Sequence, residues 1–285
     1  MVLRDFEYNG ELLSEHGCIL GSVSNSYDTS VSLGSNLTLN TVKNNNIDMI
    51  TSTEYPNPIK LTFDIVKASC KRDIGVEFSE FDVERLMVWL NRKGFYKFKP
   101  IYDYDFEHIR RTDYMDLIFF GTFTDITALR IGGRTIGYSL TFTTNAPYGY
   151  AEKSITELDI NPMHRELHIY NSSQELGYLY PDKVEIKCGT SGTISFKNLT
   201  DPAIDRVTEI NNCITDEIIT LDCKNRIITS NVEHKTLYND FNYNFPRLVR
   251  EYIETDNVIV IDTNLMPYMT VTYEYYPIRK VGVIV

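Results

Sequence analysis

The sequence predicts a mainly β protein with two domains, and three observations support this prediction. Aromatic and β-branched residues, which suit a pleated and half-buried surface, are abundant: 20 Tyr and 14 Phe occur among 285 residues. Short runs of alternating apolar and polar residues recur between turn-forming residues. A clear helical period occurs near residues 79–93. We therefore expect an N-terminal β-sandwich or barrel-like domain with one α-helix, followed by a C-terminal β-sandwich.

The N-terminal half opens with a hairpin signal, FEYNGELL. Phe6 and Tyr8 alternate with polar residues, and Asn9-Gly10 supplies the two positive-φ residues of a type I′ turn. In IKLTFDIV the apolar residues fall on one face of a strand. The strands predicted in this half lie within 18–39, 59–66, 95–105, 116–131 and 137–145, with a turn at Gly132-Gly133.

The helix predicted at about 79–93 carries signals at both ends. Ser79 suits the N-cap, and Asp82 follows three residues later as a variant of the capping box. Gly94 stands where the residue that ends a helix is commonly glycine. One apolar stripe, which we expect to face the core together with Trp89, consists of Val83, Leu86, Met87 and Leu90.

A domain junction is predicted at Pro147, Tyr148 and Gly149. The strand SLTFTTN alternates regularly up to Asn145 and then stops at the run APYGYA. Proline cannot donate to a strand ladder, and glycine allows the backbone to change direction. We therefore place one domain at 1–148 and the other at 149–285.

The C-terminal domain is predicted to be a β-sandwich without a convincing helix. Short strand patterns recur there at regular intervals, about one strand in every 8–14 residues, and are separated by turn-formers such as Lys224-Asn225. The predicted strands are 166–171, 180–188, 192–198, 206–212, 217–223, 226–231, 258–263 and 269–276.

The charge and the cysteines exclude several classes of protein. The formal net charge is −11 and both halves are negative, so binding to nucleic-acid phosphates is not expected. The five cysteines show no C-x-x-C spacing and no secretory signal precedes them, which predicts buried thiols in a reducing compartment. No apolar run has the length of a membrane span, so we expect no membrane insertion.

Candidate chemistry is sparse. Asp103, Asp105, Glu107 and His108 form the densest titratable cluster, but a loop between strands explains it better than a catalytic or metal site. His16 and His234 are isolated in sequence, and no G-x-S-x-G motif is present. We therefore predict a structural or binding protein with no catalytic residue, no cofactor and no metal.

Two alternatives remain open. Tyr238, Phe241, Tyr243 and Phe245 could stack against sugars, which would make the C-terminal domain a carbohydrate-binding module. A hydrolase of cell-wall polymer could use Asp103, Asp105 or Glu107, although carboxylates within one strand or loop flank a scissile bond poorly.

The order of several segments resembles the phage distal tail (Dit) proteins, the hubs of siphophage baseplates and tail tips. The N-terminal segments are FEYNGELLSEHG, MVWLNRKG, GTFTDI and APYGYA. The C-terminal segments, which resemble the galectin-like β-sandwich of that family, include KVEIKCGTSGTISFKN, FNYNFPRLV and MTVTYEYYPIRKVG.

This resemblance implies a structural protein of the virion tail tip, assembled in the bacterial host cytoplasm. The N-terminal domain would form a homo-hexameric ring. The ring would join the tail tube protein to the tail fibre or tail-associated lysin, with receptor-binding proteins as further partners. DNA would pass through the ring without specific binding, and the chain would not be an enzyme.

Overall fold

The computed structural model of the chain describes residues 2–21, 36–42, 47–54, 58–68, 77–103, 117–251, 255–265 and 269–280. The chain folds into two compact units, one of Met1–Tyr150 with Lys280–Val285 and one of Ala151–Arg279. Within the described residues most of the backbone lies in strands and two α-helices occur, so the predicted mainly β fold is confirmed.

The first unit is built on a seven-stranded antiparallel sheet. Its helices are a 3-10 helix (Leu13–His16) and α1 (Glu80–Leu90). The strands of the unit are β1 (Val2–Tyr8), β2 (Glu11–Leu12), β3 (Cys18–Leu20), β4 (Asn36–Val42), β5 (Ile47–Glu54), β6 (Lys60–Lys67), β7 (Tyr96–Asp103), β8 (Phe119–Ile131), β9 (Arg134–Thr144) and β10 (Gly149–Tyr150). The strand order of the main sheet is β2-β1-β7-β8-β9-β6-β3, and strands β4 and β5 pair as a separate antiparallel hairpin.

Local sequence signals place several of these elements correctly. The β1–β2 hairpin turns at Asn9 and Gly10, both with positive φ, as the type I′ pattern predicts. Strands β8 and β9 turn at Gly132-Gly133, also with positive φ at both residues. The alternating run in β6 buries its apolar side chains.

Helix α1 begins as predicted but ends earlier than expected. The backbone N–H of Asp82 donates to Ser79 Oγ (3.2 Å), and the Ser79 N–H donates to Asp82 Oδ2 (3.0 Å), which completes the capping box. The helix ends at Leu90, and Arg92, which lay within the predicted helix, instead donates from its Nε to the Trp89 carbonyl (3.0 Å). Gly94, with φ of 110°, then leads the chain towards β7.

The sheet of the first unit curls around an aromatic core. Strands β1 and β6 lie four positions apart in the sheet order, which is about 19 Å in a flat sheet. The rings of Phe6 on β1 and Phe63 on β6 are nevertheless only 5.7 Å apart. The barrel-like prediction is therefore confirmed, and α1 seals the core with Trp89, whose ring stacks 5.8 Å from Phe6.

The second unit contains a five-stranded sheet, a four-stranded sheet and a two-stranded ribbon, all antiparallel. The five-stranded order is β11-β21-β14-β17-β18, the four-stranded order is β12-β20-β15-β16, and the ribbon pairs β13 with β19. The elements are β11 (Ser154–Ile160), β12 (Glu166–Asn171), β13 (Gly177–Leu179), β14 (Lys183–Lys187), β15 (Gly192–Asn198), β16 (Thr208–Cys213), β17 (Ile218–Asp222), β18 (Ile227–Ser230), α2 (Leu237–Asp240), β19 (Leu248–Arg250), β20 (Thr255–Thr263), β21 (Met269–Tyr275) and β22 (Ile278–Arg279).

The two larger sheets face each other, which confirms the predicted β-sandwich. Tyr275 on β21 donates its hydroxyl hydrogen to the carbonyl of Tyr170 on β12 at 2.9 Å. Tyr273 of the five-stranded sheet also lines a small cavity of about 20 Å³ with Phe196 and Ile259 of the four-stranded sheet. Buried side chains from both sheets therefore form one core.

Two features of the second unit differ from the prediction. Strands β11, β13, β19 and β22 had not been predicted as strands. The expectation of no helix was wrong for α2, a single turn in which the Phe241 N–H donates to the Leu237 carbonyl (3.2 Å). One turn is too short to show a period of 3.6 residues.

Candidate functional site

The predicted junction is held firmly to the first unit. The Asn145 N–H donates to the Phe120 carbonyl (2.7 Å), and the Thr144 hydroxyl donates to the Ala146 carbonyl (2.6 Å). Tyr150 exchanges two backbone hydrogen bonds of 2.8 Å with Ile118. Between these anchors Pro147 and Tyr148 are half-buried, and Gly149 is buried as the first residue of β10.

The four aromatic residues proposed for sugar stacking are divided between the core and the surface. Phe241 and Phe245 are buried, and their rings meet edge to face at 4.9 Å. Tyr238 and Tyr243 are exposed at 62% and 56%. Only the two tyrosines therefore present a free aromatic face to a sugar.

The exposed tyrosines occupy different local settings. Tyr238 lies on α2 and lines a shallow groove of about 430 Å³ with Val232 and Lys235. Tyr243 has a φ of 58°, a conformation that costs energy for a bulky residue, and its ring packs 5.3 Å from the buried Phe241. The short loop is thus anchored by phenylalanines and displays tyrosines.

The acidic cluster of the hydrolase alternative falls largely outside the described part of the chain. Asp103 ends strand β7, whereas Asp105, Glu107 and His108 lie beyond the described residues.

An exposed ion pair of the second unit joins two neighbouring strands. His168 on β12 pairs with Asp256 on β20, with 2.7 Å between Nδ1 and Oδ2.

A buried network that sequence reasoning missed joins Glu217, His234 and Asp240. His234 Nδ1 lies 2.9 Å from Glu217 Oε1, and its Nε2 lies 3.1 Å from Asp240 Oδ2. The second Glu217 oxygen accepts the Ile214 N–H at 2.7 Å. Glu217 precedes strand β17, whereas Asp240 lies on helix α2 and His234 lies in the segment before that helix. Because the three residues come from different segments, no local motif could have identified the network.

The geometry of this network favours a structural ion cluster over catalysis. Burial lowers the pKa of His234, but the hydrogen bonds that its ring donates to Glu217 and Asp240 outweigh this effect and raise the pKa overall. The Ser230 hydroxyl donates to Glu217 at 2.6 Å, so it is aligned with the carboxylate and not with the imidazole as a nucleophile requires. The network therefore ties the start of β17 to helix α2.

A second buried group contains Cys188, Cys213 and Glu217. The two Sγ atoms and a carboxylate oxygen all lie within 4.8 Å of one another, and all three residues are buried. The neighbouring Cys188 thiol, together with burial, raises the pKa of Cys213, so this thiol is neutral at physiological pH. Thiolate and carboxylate are suitable ligands for zinc, but here the Glu217 carboxylate is already held by three donors.

The first unit has an exposed apolar stripe on the outer face of α1. Phe81 and Val88 are 73% and 69% exposed and lie two turns apart on the helix. They line a groove of about 470 Å³ together with His16 and Arg85. Exposed apolar side chains at this spacing mark a candidate assembly surface, which we call the α1 stripe.

Comparisons with known families match almost the whole chain. Residues 1–146 match a family described as "Phage tail protein N-terminal domain", and residues 148–273 match one described as "Phage tail C-terminal domain". A search of curated protein sequences finds no match. Among the residues described above, no helix combines the length and apolar character needed to cross a bilayer.

Solved phage structures share this fold. The crystal structure of SPP1 Dit (gp 19.1), described as a paradigm of the hub adsorption apparatus in phages that infect Gram-positive bacteria, matches 96% of this chain and 99% of its own, with a TM-score of 0.58 and 12% identity. The phage p2 baseplate in its activated conformation with Sr matches 95% and 98%, with a TM-score of 0.53 and 10% identity. The same baseplate with Ca matches 96% and 98%, with a TM-score of 0.52 and 11% identity. The predicted resemblance to distal tail proteins is thus confirmed for the fold.

Proposed function

Because the chain belongs to this phage tail protein family, and is therefore a component of the virion, we propose that it is the hub at the distal end of a long-tailed phage tail. In this proposal six copies form a closed ring. Residues 1–148 make the ring, and the galectin-like domain of residues 149–285 projects from it. The ring joins the tail tube to the tail fibre or tail-associated lysin.

The observation that carries this proposal is the shared fold across almost the full length of both this chain and SPP1 Dit, a hub protein. A match over one domain alone would be compatible with many functions, since common β folds host unrelated activities. A match over two consecutive domains in the same order is more specific, and it agrees with the phage tail families found for both halves.

The charge of the chain suits a passage for DNA. The net charge is −11, with Asp and Glu in excess in both halves. A ring of such chains repels phosphates, so DNA can pass without being held by the lumen. A basic lumen would instead slow the passage of DNA through counterion release and binding.

The surface of the first unit contains features that could form a ring interface. The edge strands of its main sheet, β2 and β3, have only two and three residues, so long strand pairing between copies is disfavoured. The α1 stripe instead supplies exposed apolar area for a head-to-tail contact. We propose that this stripe lies in the contact between neighbouring copies.

Mass photometry and electron microscopy of the purified full-length chain test the ring. We expect particles of six 33.0 kDa subunits with a central opening. A chain that stays monomeric at high concentration, or that forms open filaments, would overturn the proposal.

A matched pair of variants tests the interface. Phe81→Asp places a charge in the α1 stripe and should shift the ring towards monomers. Met163→Asp introduces the same charge at an exposed apolar position of the second unit, and the ring should persist in this variant. If both variants assemble equally well, the α1 stripe does not lie in the interface between copies.

We also propose that assembly takes place in the bacterial host cytoplasm and that the chain acts without catalysis. In the buried Glu217–His234–Asp240 network the Ser230 hydroxyl donates to Glu217 and not to His234, which supports the lack of catalysis. Co-expression with the tail tube protein and the tail-associated lysin should yield a complex, with receptor-binding proteins as candidate additional partners. Recovery of the chain without either of the first two proteins would contradict the joining role.

A second candidate function is binding of cell-wall polysaccharide through the second unit. Exposed Tyr238 and Tyr243 favour it, because free aromatic faces stack on sugar rings. Titration of the full chain with host cell-wall polysaccharide tests it. Tyr238→Ala should weaken binding at least tenfold, whereas Tyr170→Ala, which removes another exposed tyrosine, should not. Absence of saturable binding in the unaltered chain would reject this function.

A further inference from the structure

Cys188 and Cys213 meet at one end of the β-sandwich, each on a different sheet. Cys188 extends strand β14 of the five-stranded sheet: its N–H donates to the Glu217 carbonyl (2.8 Å), and its carbonyl accepts the Asp216 N–H (3.1 Å). Cys213 ends strand β16 of the four-stranded sheet, where it pairs with Gly192. The two cysteines therefore bridge the gap between the sheets.

Their thiols are neighbours in a closed space. The two Sγ atoms lie within 4.8 Å of each other, and both side chains are almost fully buried. Cys213 also donates its thiol hydrogen to the Ile210 carbonyl at 3.7 Å, which fixes the sulfur on the inner side of the strand. A disulfide requires these two sulfurs to approach from their present separation to the S–S bond length of about 2.05 Å.

We propose that Cys188 and Cys213 form a disulfide that links the two sheets of the sandwich after the virion leaves the reducing host cytoplasm. This inference rests on the chain being a virion component and not on its role as a hub. In the cytoplasm both thiols stay reduced, and outside the cell an oxidising environment favours the bond.

The chemistry balances with an oxidised low-molecular-weight disulfide as the oxidant. One protein thiolate attacks glutathione disulfide and releases glutathione. The second protein thiolate then attacks the mixed disulfide, which forms the Cys188–Cys213 bond and releases a second glutathione. Each released glutathione carries one of the two protons, so two protein thiols are oxidised and one glutathione disulfide is reduced.

Burial determines when this reaction takes place. The folded sandwich shields both sulfurs, and the raised pKa of Cys213 keeps its thiol in the unreactive protonated form. Oxidation is therefore slow in the folded chain and proceeds during local opening or refolding. The bond closes a loop of about 25 residues, for which we expect the unfolding midpoint of the second unit to rise by about 5–10 °C.

The test is refolding of the full-length chain in a glutathione redox buffer, followed by peptide mass mapping without reduction. We expect one dominant disulfide between the peptides that carry Cys188 and Cys213, with a loss of two of the five thiols. Dominance of any other pair among the cysteines, or five thiols that stay free after refolding to the native spectrum, would overturn the proposal.

Matched variants sharpen the result. Cys188→Ala and Cys213→Ala should each abolish the bond and the rise in midpoint. Cys223→Ala, which removes another fully buried thiol of the same unit, should retain both. The mass map of the unaltered chain decides the proposal even where a variant fails to fold.

Discussion

The cores of the two units differ in composition. The core of the first unit is an aromatic cluster in which rings from five strands and α1 contact one another; its members are Phe6, Tyr8, Phe63, Trp89, Phe98, Phe123 and Phe142. The core of the second unit is more aliphatic and encloses buried polar groups.

Two buried polar side chains of the second unit, Asn257 and Asp201, each have several partners. Asn257 accepts the Val249 N–H (2.7 Å) and donates to the Val249 carbonyl (3.0 Å). Arg247 binds both carboxylate oxygens of Asp201, at 2.6 and 2.9 Å. Burial raises the pKa of Asp201, but the hydrogen bonds from Arg247 outweigh it, so the carboxylate stays ionised.

This difference shows what each unit depends on. The first unit gains most of its stability from the burial of apolar area and from the shape of its packed rings. The second unit depends on hydrogen bonds and charges that are costly to leave unpaired. Because the only tryptophan of the chain is Trp89, its fluorescence reports on the first unit alone, and hydrogen exchange by peptide follows each unit in the full chain.

The largest expected effect is the loss of the Trp89 side chain. Trp89→Ala should destabilise the first unit by about 3–5 kcal/mol, because it empties the aromatic core and removes the hydrogen bond from Nε1 to the Tyr8 carbonyl (3.0 Å). Hydrogen exchange should show lost protection in the first unit only. Ile131→Ala, which truncates an exposed apolar side chain at the end of β8, should change stability by less than about 0.5 kcal/mol. Equal effects of the two variants would contradict the assigned core.

The next effect concerns the polar core of the second unit. Asn257→Ala should destabilise that unit by about 2–3 kcal/mol, because it leaves the buried Val249 backbone groups without their partners. Chemical denaturation monitored by exchange of peptides from 151–279 measures the loss. Asn239→Ala is the control, since Asn239 is exposed on α2. A change below about 0.5 kcal/mol for Asn257→Ala would show that buried polar groups do not support this sandwich.

A smaller effect is expected at the start of α1. Ser79→Ala removes the cap on the Asp82 N–H and should cost about 1 kcal/mol in the first unit. Ser79→Thr keeps a hydroxyl at the cap and should restore most of this stability. Exchange of the first-turn amide hydrogens of α1 provides the measurement. A loss as large for threonine as for alanine would argue against capping as the cause.

The smallest net effect is the response of stability to pH. His234 of the second unit and His16 of the first unit change the stability in opposite directions as the pH changes. The raised pKa of His234 means that its stabilising contribution is present below pH 6.5 and is lost as the pH rises through the raised value. Burial lowers the pKa of His16, which stacks 4.0 Å from Trp89, so the first unit loses stability as the pH falls below 6.5.

The two units should therefore shift in opposite directions between pH 5.5 and pH 8, a range of about 2.5 units around the ordinary histidine pKa. Trp89 fluorescence gives the unfolding midpoint of the first unit, and hydrogen exchange gives that of the second. His16→Gln should weaken the pH dependence of the first unit only. His234→Gln should weaken that of the second unit only, where exposed His168, whose pKa is also raised by its hydrogen bond with Asp256, acts in the same direction. If the unfolding midpoints of both units shift in the same direction with pH in the unaltered chain, these two histidines do not determine the pH dependence.

Much of the fold could be predicted from local patterns. The type I′ turn at Asn9-Gly10, the capping box at Ser79 and the alternation in β6 each involve residues close together in sequence, and the structure shows all three. The end of α1 could not be predicted this way. Arg92 acts there as a capping donor instead of a helical residue, and the nearby Glu11 of strand β2 (3.3 Å) that holds its guanidinium is 81 residues away.

The sequence by itself determined the mainly β class, the helix start, the hairpin turns and the resemblance to distal tail proteins, because propensity, period and turn chemistry act over a few residues. Only the tertiary structure decided which distant side chains meet. The Glu217–His234–Asp240 network, the Cys188–Cys213 pair and the burial of Phe241 and Phe245 depend on strand order and register. Register is fixed by the packing of whole faces, and no short stretch of sequence contains that information.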